Sequence, residues 1–203
     1  MALSASPTLI FARLRHLIDA NHGTWRGLTR ATLAQCEFVL GRLTVHTQPD
    51  ASQVDRLVFV CLGNINRSAF AEKVAQTLGA NTASIGLSTT TGAPAFQKAV
   101  KTAPQFGFDL SHHRATDLRD YAFRPTDLLL VMEIRHVNRL ISSGIPAQSI
   151  ALLGHWASPH RIHLHDPHTL SDAYFRTCFT LIRSAVDGLV AEMRAAHSPC
   201  VPR

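Results

Sequence analysis

From residue 56 to residue 196, strand-like and helix-like segments alternate, and nothing else constrains the fold of this chain as much. Short apolar runs bounded by turn residues predict strands over 56–61, 82–87, 127–132 and 149–153. Amphipathic patterns predict helices over 68–78, 94–103, 134–142 and 171–196. Alternation of this kind implies an α/β fold, a three-layer arrangement with a four-stranded parallel sheet flanked by helices. The run Leu57-Val58-Phe59-Val60 is apolar on both faces, as a strand covered on both sides must be. In open sheets of this type a ligand sits beyond the carboxyl ends of the strands.

The first strand runs directly into Cys61-Leu62-Gly63-Asn64-Ile65-Asn66-Arg67-Ser68, and a helical pattern follows. Cys61 therefore stands on a strand-to-helix loop, where backbone N–H groups converge and the helix N-terminus is positive. Such a loop suits a phosphate dianion, and it favours ionisation of a thiol. A thiolate there can attack phosphorus in line. Arg67 can pair with two non-bridging oxygens, which lysine does less well. Ser68 can donate to the sulfur. Gly63 is expected to supply a turn that a side chain would obstruct. Asn64 tolerates a left-handed backbone and can tie the loop to its surroundings. The loop holds no general acid. Asp166, kept out of helix by Pro167, is the candidate about a hundred residues later.

Together these segments resemble the low-molecular-weight protein tyrosine phosphatase family over roughly residues 55–195. The likeness rests on Val58–Ser68, on Ser84-Ile85-Gly86-Leu87, on Gly107–Ala115, on Asp127–Glu133 and on Asp166-Pro167, in that order. The resemblance implies a phosphotyrosine protein as substrate and no metal or organic cofactor. It makes Cys61 the nucleophile, Arg67 and the loop Leu62–Asn66 with Ser68 the phosphate binders, and Asp166 the acid and then the base. It places Asn64, Ser68, Ser84 and His113 in a network that shapes the loop. His168 falls where the family has an aromatic wall of the substrate cleft. Ser88–Thr91, the other wall, carries no ring. Asn66 replaces a second cysteine that many members have beside the arginine, so local disulfide protection of Cys61 is absent. Ile65 favours the tyrosine substrate, since the related protein-arginine phosphatases tend to have Thr there. A protein-arginine phosphatase and a catalytically weak phosphate-binding module remain the alternatives. The resemblance also suggests a bacterial tyrosine kinase of polysaccharide export as partner.

The rest of the chain fits a cytoplasmic enzyme. Four cysteines at 36, 61, 178 and 200 form neither a disulfide framework nor a zinc pattern. No apolar run approaches the roughly 20 residues of a membrane span, and the start lacks the order of a secretory signal. A net charge of +6 needs no nucleic-acid partner to explain it. A phosphatase domain is expected over 55–197 and a tail over 198–203. Residues 1–54 read as a helical extension and linker, with helices over 8–20 and 24–43 and a polar link over 44–53. The basic extension suits a cap packed on the domain or on a second copy in a homodimer, or a membrane-surface helix pair. Leu9, Ile10, Leu14, Leu17 and Ile18 are the expected apolar face of the first helix, and Leu33, Phe38, Val39 and Leu43, more loosely, that of the second. Cys36 is expected in the core, and Trp25 and Trp156 are expected to anchor packing. His155, His160, His163, His165 and His168 crowd the approach to Asp166. Their spacing predicts no metal site, and His165 or His168 is expected to tune the acid or touch the substrate.

Overall fold

The computed structural model describes residues 7–197. Two helices come first, α1 (Pro7–His22) and α2 (Trp25–Val39). The α/β part follows as β1 (Arg56–Cys61), α3 (Arg67–Thr77), β2 (Thr82–Gly86), α4 (Gln97–Thr102), β3 (Asp127–Val131), α5 (Ile134–Ser142), β4 (Ile150–Leu152) and α6 (Asp172–His197). The sheet order is β2-β1-β3-β4 and every pairing is parallel. From β1 the chain crosses to β2 on one side and later returns to β3 on the other. The order reverses at β1, so the crevice expected to hold a ligand opens at its carboxyl end. Cys61 is the last residue of β1 and pairs with Gly86.

Alternating β1 side chains enter two cores. Leu57, Phe59 and Cys61 face the layer of α3 and α6, where Phe70 stacks on Phe179 with ring centroids 3.9 Å apart. Val58 and Val60 face the opposite layer, with Val137 and Leu140 of α5 and with Ala34 and Leu43 of the extension. The extension thus contributes to the second core directly.

Several expectations need correction. Only part of the expected apolar face of α2 meets the domain: Phe38 packs on the second core, whereas Trp25 is 57% exposed, Leu33 and Val39 are exposed, and so is Cys36. The inner face is the line Gly27, Ala31, Ala34 and Phe38, at i, i+4, i+7 and i+11, in which Gly27 and Ala34 are buried, Ala31 and Phe38 are half-buried, and all but Phe38 are small. Small side chains let the helix axis come close to the loops beneath it, and bulk at those positions would hold it away. Leu14 and Leu17 of α1 are also exposed, whereas Ile18 and Leu43 are buried; the side chains of Leu9 and Ile10 lie outside those described. The second helix stops at Val39, not residue 43, and the link over 44–53 contains two short 3₁₀ turns, Thr44–His46 and Ala51–Gln53. His46 fastens this link to the sheet through the Ile150 carbonyl, 2.8 Å away. Trp156 does anchor packing, with its indole N–H on Glu192 at 2.8 Å. The expected tail, 198–203, lies outside the described residues, and no helix among those described is long and apolar enough to cross a membrane.

Candidate active site

Cys61, Arg67 and Asp166 come together at the carboxyl end of β1. They line a cleft of about 190 Å³ with Leu62, Gly63, Ile65, Asn66, Ser88 and His168. The Cys61 sulfur has the Ser68 hydroxyl at 3.0 Å and accepts the Asn64 backbone N–H at 3.2 Å. The loop closes at Asn66, and α3 begins at Arg67, so the free N–H groups of the helix start lie beside the cleft.

Asn64 is the keystone of the loop. Its φ is +50°, the left-handed region in which Asn is among the tolerated side chains. Its amide nitrogen donates to Ser68 at 2.9 Å and to Ser84 at 2.8 Å, and its amide oxygen accepts from Thr116 N at 2.9 Å. Ser84 passes on to Glu72 at 2.5 Å, and His113 meets the Asn64 carbonyl at 2.7 Å. The network expected from Asn64, Ser68, Ser84 and His113 is therefore a connected one. The role expected of Gly63 falls elsewhere. A Cβ at Gly63 would meet only the Ile65 side chain, at 3.4 Å, whereas a Cβ at Gly86 would lie 3.0 Å from the Gly63 backbone and 3.1 Å from Asn64 N. Gly86, opposite Cys61 in the sheet, is the glycine that lets the loop sit this low.

Arg67 is 1% exposed. Its Nη1 donates to Glu133 at 2.7 Å and to the Leu164 carbonyl at 2.9 Å, and its Nη2 pairs with Asp166 at 2.8 Å. Burial opposes its charge, and Asp166, Glu133 and Cys61 outweigh that, so its pKa is raised. Its Nε has no hydrogen-bond partner among the described residues, which leaves a donor for an anion. Asp166 is 27% exposed at its side chain, so it meets Arg67 and also faces the cleft. His168 sits at the rim, 3.5 Å from Asn66 Nδ2, with its ring against Phe96 at 4.5 Å. Phe96 thus backs the histidine wall from a position the sequence reading did not single out.

Glu133 was also missed, although an acidic residue just past the end of β3 is a usable signal. It is fully buried behind Arg67 and also accepts from Arg135 at 2.8 Å. Burial opposes its charge, yet Arg67, His136 and Arg135 hold its pKa down at about 2. His136 and His163 flank it at 3.7 Å each. Burial pushes His136 down to about 3 and His163 down to about 4. Glu133, His163 and His165 bring ligand-type atoms within 4.8 Å of one another. The carboxylate already serves two guanidinium groups, so a cation there would compete with Arg67 and be repelled by it.

These buried imidazoles set an expected pH dependence of stability. In the unfolded chain they titrate near 6.5, whereas in the fold they stay neutral to about 4 and 3. Below 6.5 the unfolded state binds protons that the folded state does not, so stability falls as pH drops from 6.5 towards 4. For His163 alone the loss is roughly 3 kcal/mol. Glu133 adds a loss in the same direction below pH 4.5. Urea unfolding at pH 7, 5.5 and 4.5 measures this, and a flat profile would contradict it.

A larger hollow, about 870 Å³, lies at the amino ends of β1 and β3 and is lined in part by Val45, Pro49, Phe123 and Pro146. Its buried carboxylate, Asp127, is taken up by Arg56, with two contacts of 2.8 Å. Cys61, Arg67 and Asp166 lie at the opposite end of the sheet.

A thiol beside a strand-to-helix loop, with a buried arginine and a carboxylate next to it, is an arrangement suited to holding a phosphate group. Residues 56–198 match the family model described as low molecular weight phosphotyrosine protein phosphatase, and the chain belongs to that family. Among similar proteins, the low molecular weight protein-tyrosine-phosphatase Wzb of Salmonella typhi is 33% identical over 135 residues, covering 64% of this chain and 89% of Wzb. A probable low molecular weight protein-tyrosine-phosphatase EpsP of Ralstonia nicotianae is 32% identical, covering 70% and 98%. The crystal structure of the Erwinia amylovora tyrosine phosphatase amsI superimposes with a TM-score of 0.61 at 28% identity, covering 68% and 93%. A YwlE arginine phosphatase matches with a TM-score of 0.62 at 20% identity and shows the fold alone.

Proposed function

We propose that this chain is a cysteine-dependent protein-tyrosine phosphatase that works through a phosphocysteine intermediate. The observation that carries the reading is the meeting of three groups in one cleft: the doubly hydrogen-bonded Cys61 sulfur, the buried Arg67, and Asp166 at 2.8 Å from that arginine. In the first half-reaction the Cys61 thiolate attacks phosphorus, the P–O bond to the tyrosine oxygen breaks, and Asp166 gives that oxygen its proton. Arg67 and the loop bind the equatorial oxygens as charge shifts on them. In the second, Asp166 takes a proton from water, the new O–P bond forms and the S–P bond breaks.

Leu62 and Ile65 supply apolar surface at the mouth, with His168 and Ser88 as the walls. Ile65 supports an aromatic ester over a phosphoarginine. Residues 55–197 act as the catalytic domain in this reading, and residues 1–54 as an added extension. A phosphotyrosine protein is the substrate, and a bacterial tyrosine kinase of polysaccharide export is the proposed source of it. A single reactive thiol without a partner cysteine on the loop suits a reducing, cytoplasmic setting.

Hydrolysis of p-nitrophenyl phosphate without added metal, followed by phosphotyrosine against phosphoarginine peptides, tests the proposal. Turnover with a preference for phosphotyrosine is expected. A preference for phosphoarginine would move the chain to the other substrate class. No turnover from folded protein that still binds vanadate would leave a phosphate-binding module.

A further inference from the structure

The family match begins at residue 56, and 64–70% of this chain covers 89–98% of the relatives cited above. Residues 7–54 therefore lie outside the part shared with them. In the structure, this extra segment is seated on the loop that carries Asp166.

The contacts concentrate at the turn between α1 and α2 and on the inner face of α2. Thr24, the N-cap of α2, accepts the Gly27 backbone N–H at 2.9 Å, and its hydroxyl also meets His165 Nε2 at 3.2 Å. Gly27 lies directly over the same ring: a Cβ there would be 2.8 Å from His165 Cδ2. Gly23, with φ +76°, presses on Leu170 and Tyr174, where a Cβ would fall 2.6 and 2.7 Å from their side chains. Thr177 of α6 donates to the Ala20 carbonyl at 2.8 Å, and Arg161 donates to the Asn21 carbonyl. Farther along α2, the Phe38 ring lies 4.7 Å from His160 and 5.7 Å from His155.

His165 immediately precedes Asp166. The stretch from Ile162 to His168 has no helix or strand of its own. Its backbone is held from below by Leu164 N on the Met132 carbonyl at 2.9 Å, and from α6 by the Tyr174 hydroxyl on the His165 carbonyl at 3.1 Å. The extension adds a hold through the ring, which also lies 5.7 Å from the His163 ring and 6.2 Å from the Tyr174 ring. In extended chain, successive side chains point to opposite faces. A rotation that lets the His165 ring move outward therefore swings Asp166 away from Arg67. An acid must lie within hydrogen-bond reach of the proton it transfers, and a misplacement of about 1 Å can lose about 100-fold in rate.

We propose that the α1–α2 turn braces the acid loop, with Thr24 as a positioning residue that acts through His165 on Asp166. This rests on Asp166 being the general acid of the proposed function, and it assigns the extension a part in catalysis. Anything that shifts the extension on the domain would then alter proton transfer while leaving the phosphate loop intact.

The leaving group separates positioning of the acid from general damage. Phenol has a pKa of about 10, like tyrosine, and must be protonated as it leaves. p-Nitrophenol is far more acidic and leaves without help. We take kcat/KM for phenyl phosphate and for p-nitrophenyl phosphate in the full chain, for native protein, Asp166→Asn, Thr24→Val, Thr24→Ser, His165→Phe and Thr24→Val/His165→Phe. Asp166→Asn is expected to lose about 100-fold on phenyl phosphate and much less on p-nitrophenyl phosphate. Thr24→Val is expected to lose about tenfold on phenyl phosphate with little change on the other substrate, Thr24→Ser to restore it, and Thr24→Val to add nothing once His165 is Phe. Equal losses on both substrates, or none, with the Asp166→Asn pattern intact, would overturn the brace alone. An Asp166→Asn variant with no leaving-group bias would overturn the acid and the brace together. Loss of the cap also weakens the start of α2. Should Thr24→Val not fold, the His165→Phe ratio decides the matter, since it breaks the same contact from the other side.

Discussion

Cys61→Ser is expected to lower turnover of p-nitrophenyl phosphate by on the order of 10⁴-fold or more, with the fold retained. The substitution exchanges one atom. The sulfur is almost fully buried between Ser68 and the Asn64 N–H, so an oxygen fits the same space. What is lost is the proposed nucleophile, because a serine hydroxyl is a far weaker acid than a thiol and no general base among the described residues touches it. Arg67, the loop and α3 stay in place, so vanadate or phosphate should still bind. A variant that kept even a tenth of the native rate would mean that sulfur does not attack phosphorus.

Arg67→Lys is expected to lower activity by on the order of 10²–10³-fold and to destabilise the fold by roughly 3 kcal/mol. The two effects have separate causes. For catalysis, the guanidinium offers a planar set of donors, including the unpartnered Nε, and an ammonium offers a single point charge. For stability, Arg67 ties Glu133, the Leu164 carbonyl and Asp166 together from one buried position. A lysine cannot span those three. Glu133 would then keep Arg135 and lose its closest buried partner. Chemical unfolding and steady-state kinetics on the same preparation measure both losses. A fully active lysine variant would show that paired donation is unnecessary. A fully stable one would show that Glu133 does not depend on Arg67.

The catalytic half of this site is readable in one dimension because its parts are local. Cys61, Asn64, Arg67 and Ser68 fall within eight residues, and the strand before them and the helix after them announce the turn. Asp166 is distant, but Pro167 marks it as a loop residue. What stays hidden depends on depth. Glu133 reads as one more charged residue after a strand, and only the fold buries it against Arg67, His136 and His163. Gly86 looks like the end of a strand, and its closeness to Gly63 and Asn64 appears only when β2 lies beside β1. The extension misleads for a related reason. Its large apolar residues Trp25, Leu33 and Val39 suggest a buried stripe, yet α2 docks through Gly27, Ala31 and Ala34, whose value is that they are small, with Phe38 the one large side chain on that face. Phe11 of α1, 70% exposed, shares the outward-facing character of that apolar stripe.

The most direct test of the account is to trap the intermediate. Native protein turning over a ³²P-labelled phosphotyrosine peptide is quenched in acid and digested, and the label is located. The account predicts one phosphoryl group, bound to sulfur, on the peptide that carries Cys61, with none in Cys61→Ser. Turnover with no labelled Cys61 peptide, or label on another side chain, would contradict it.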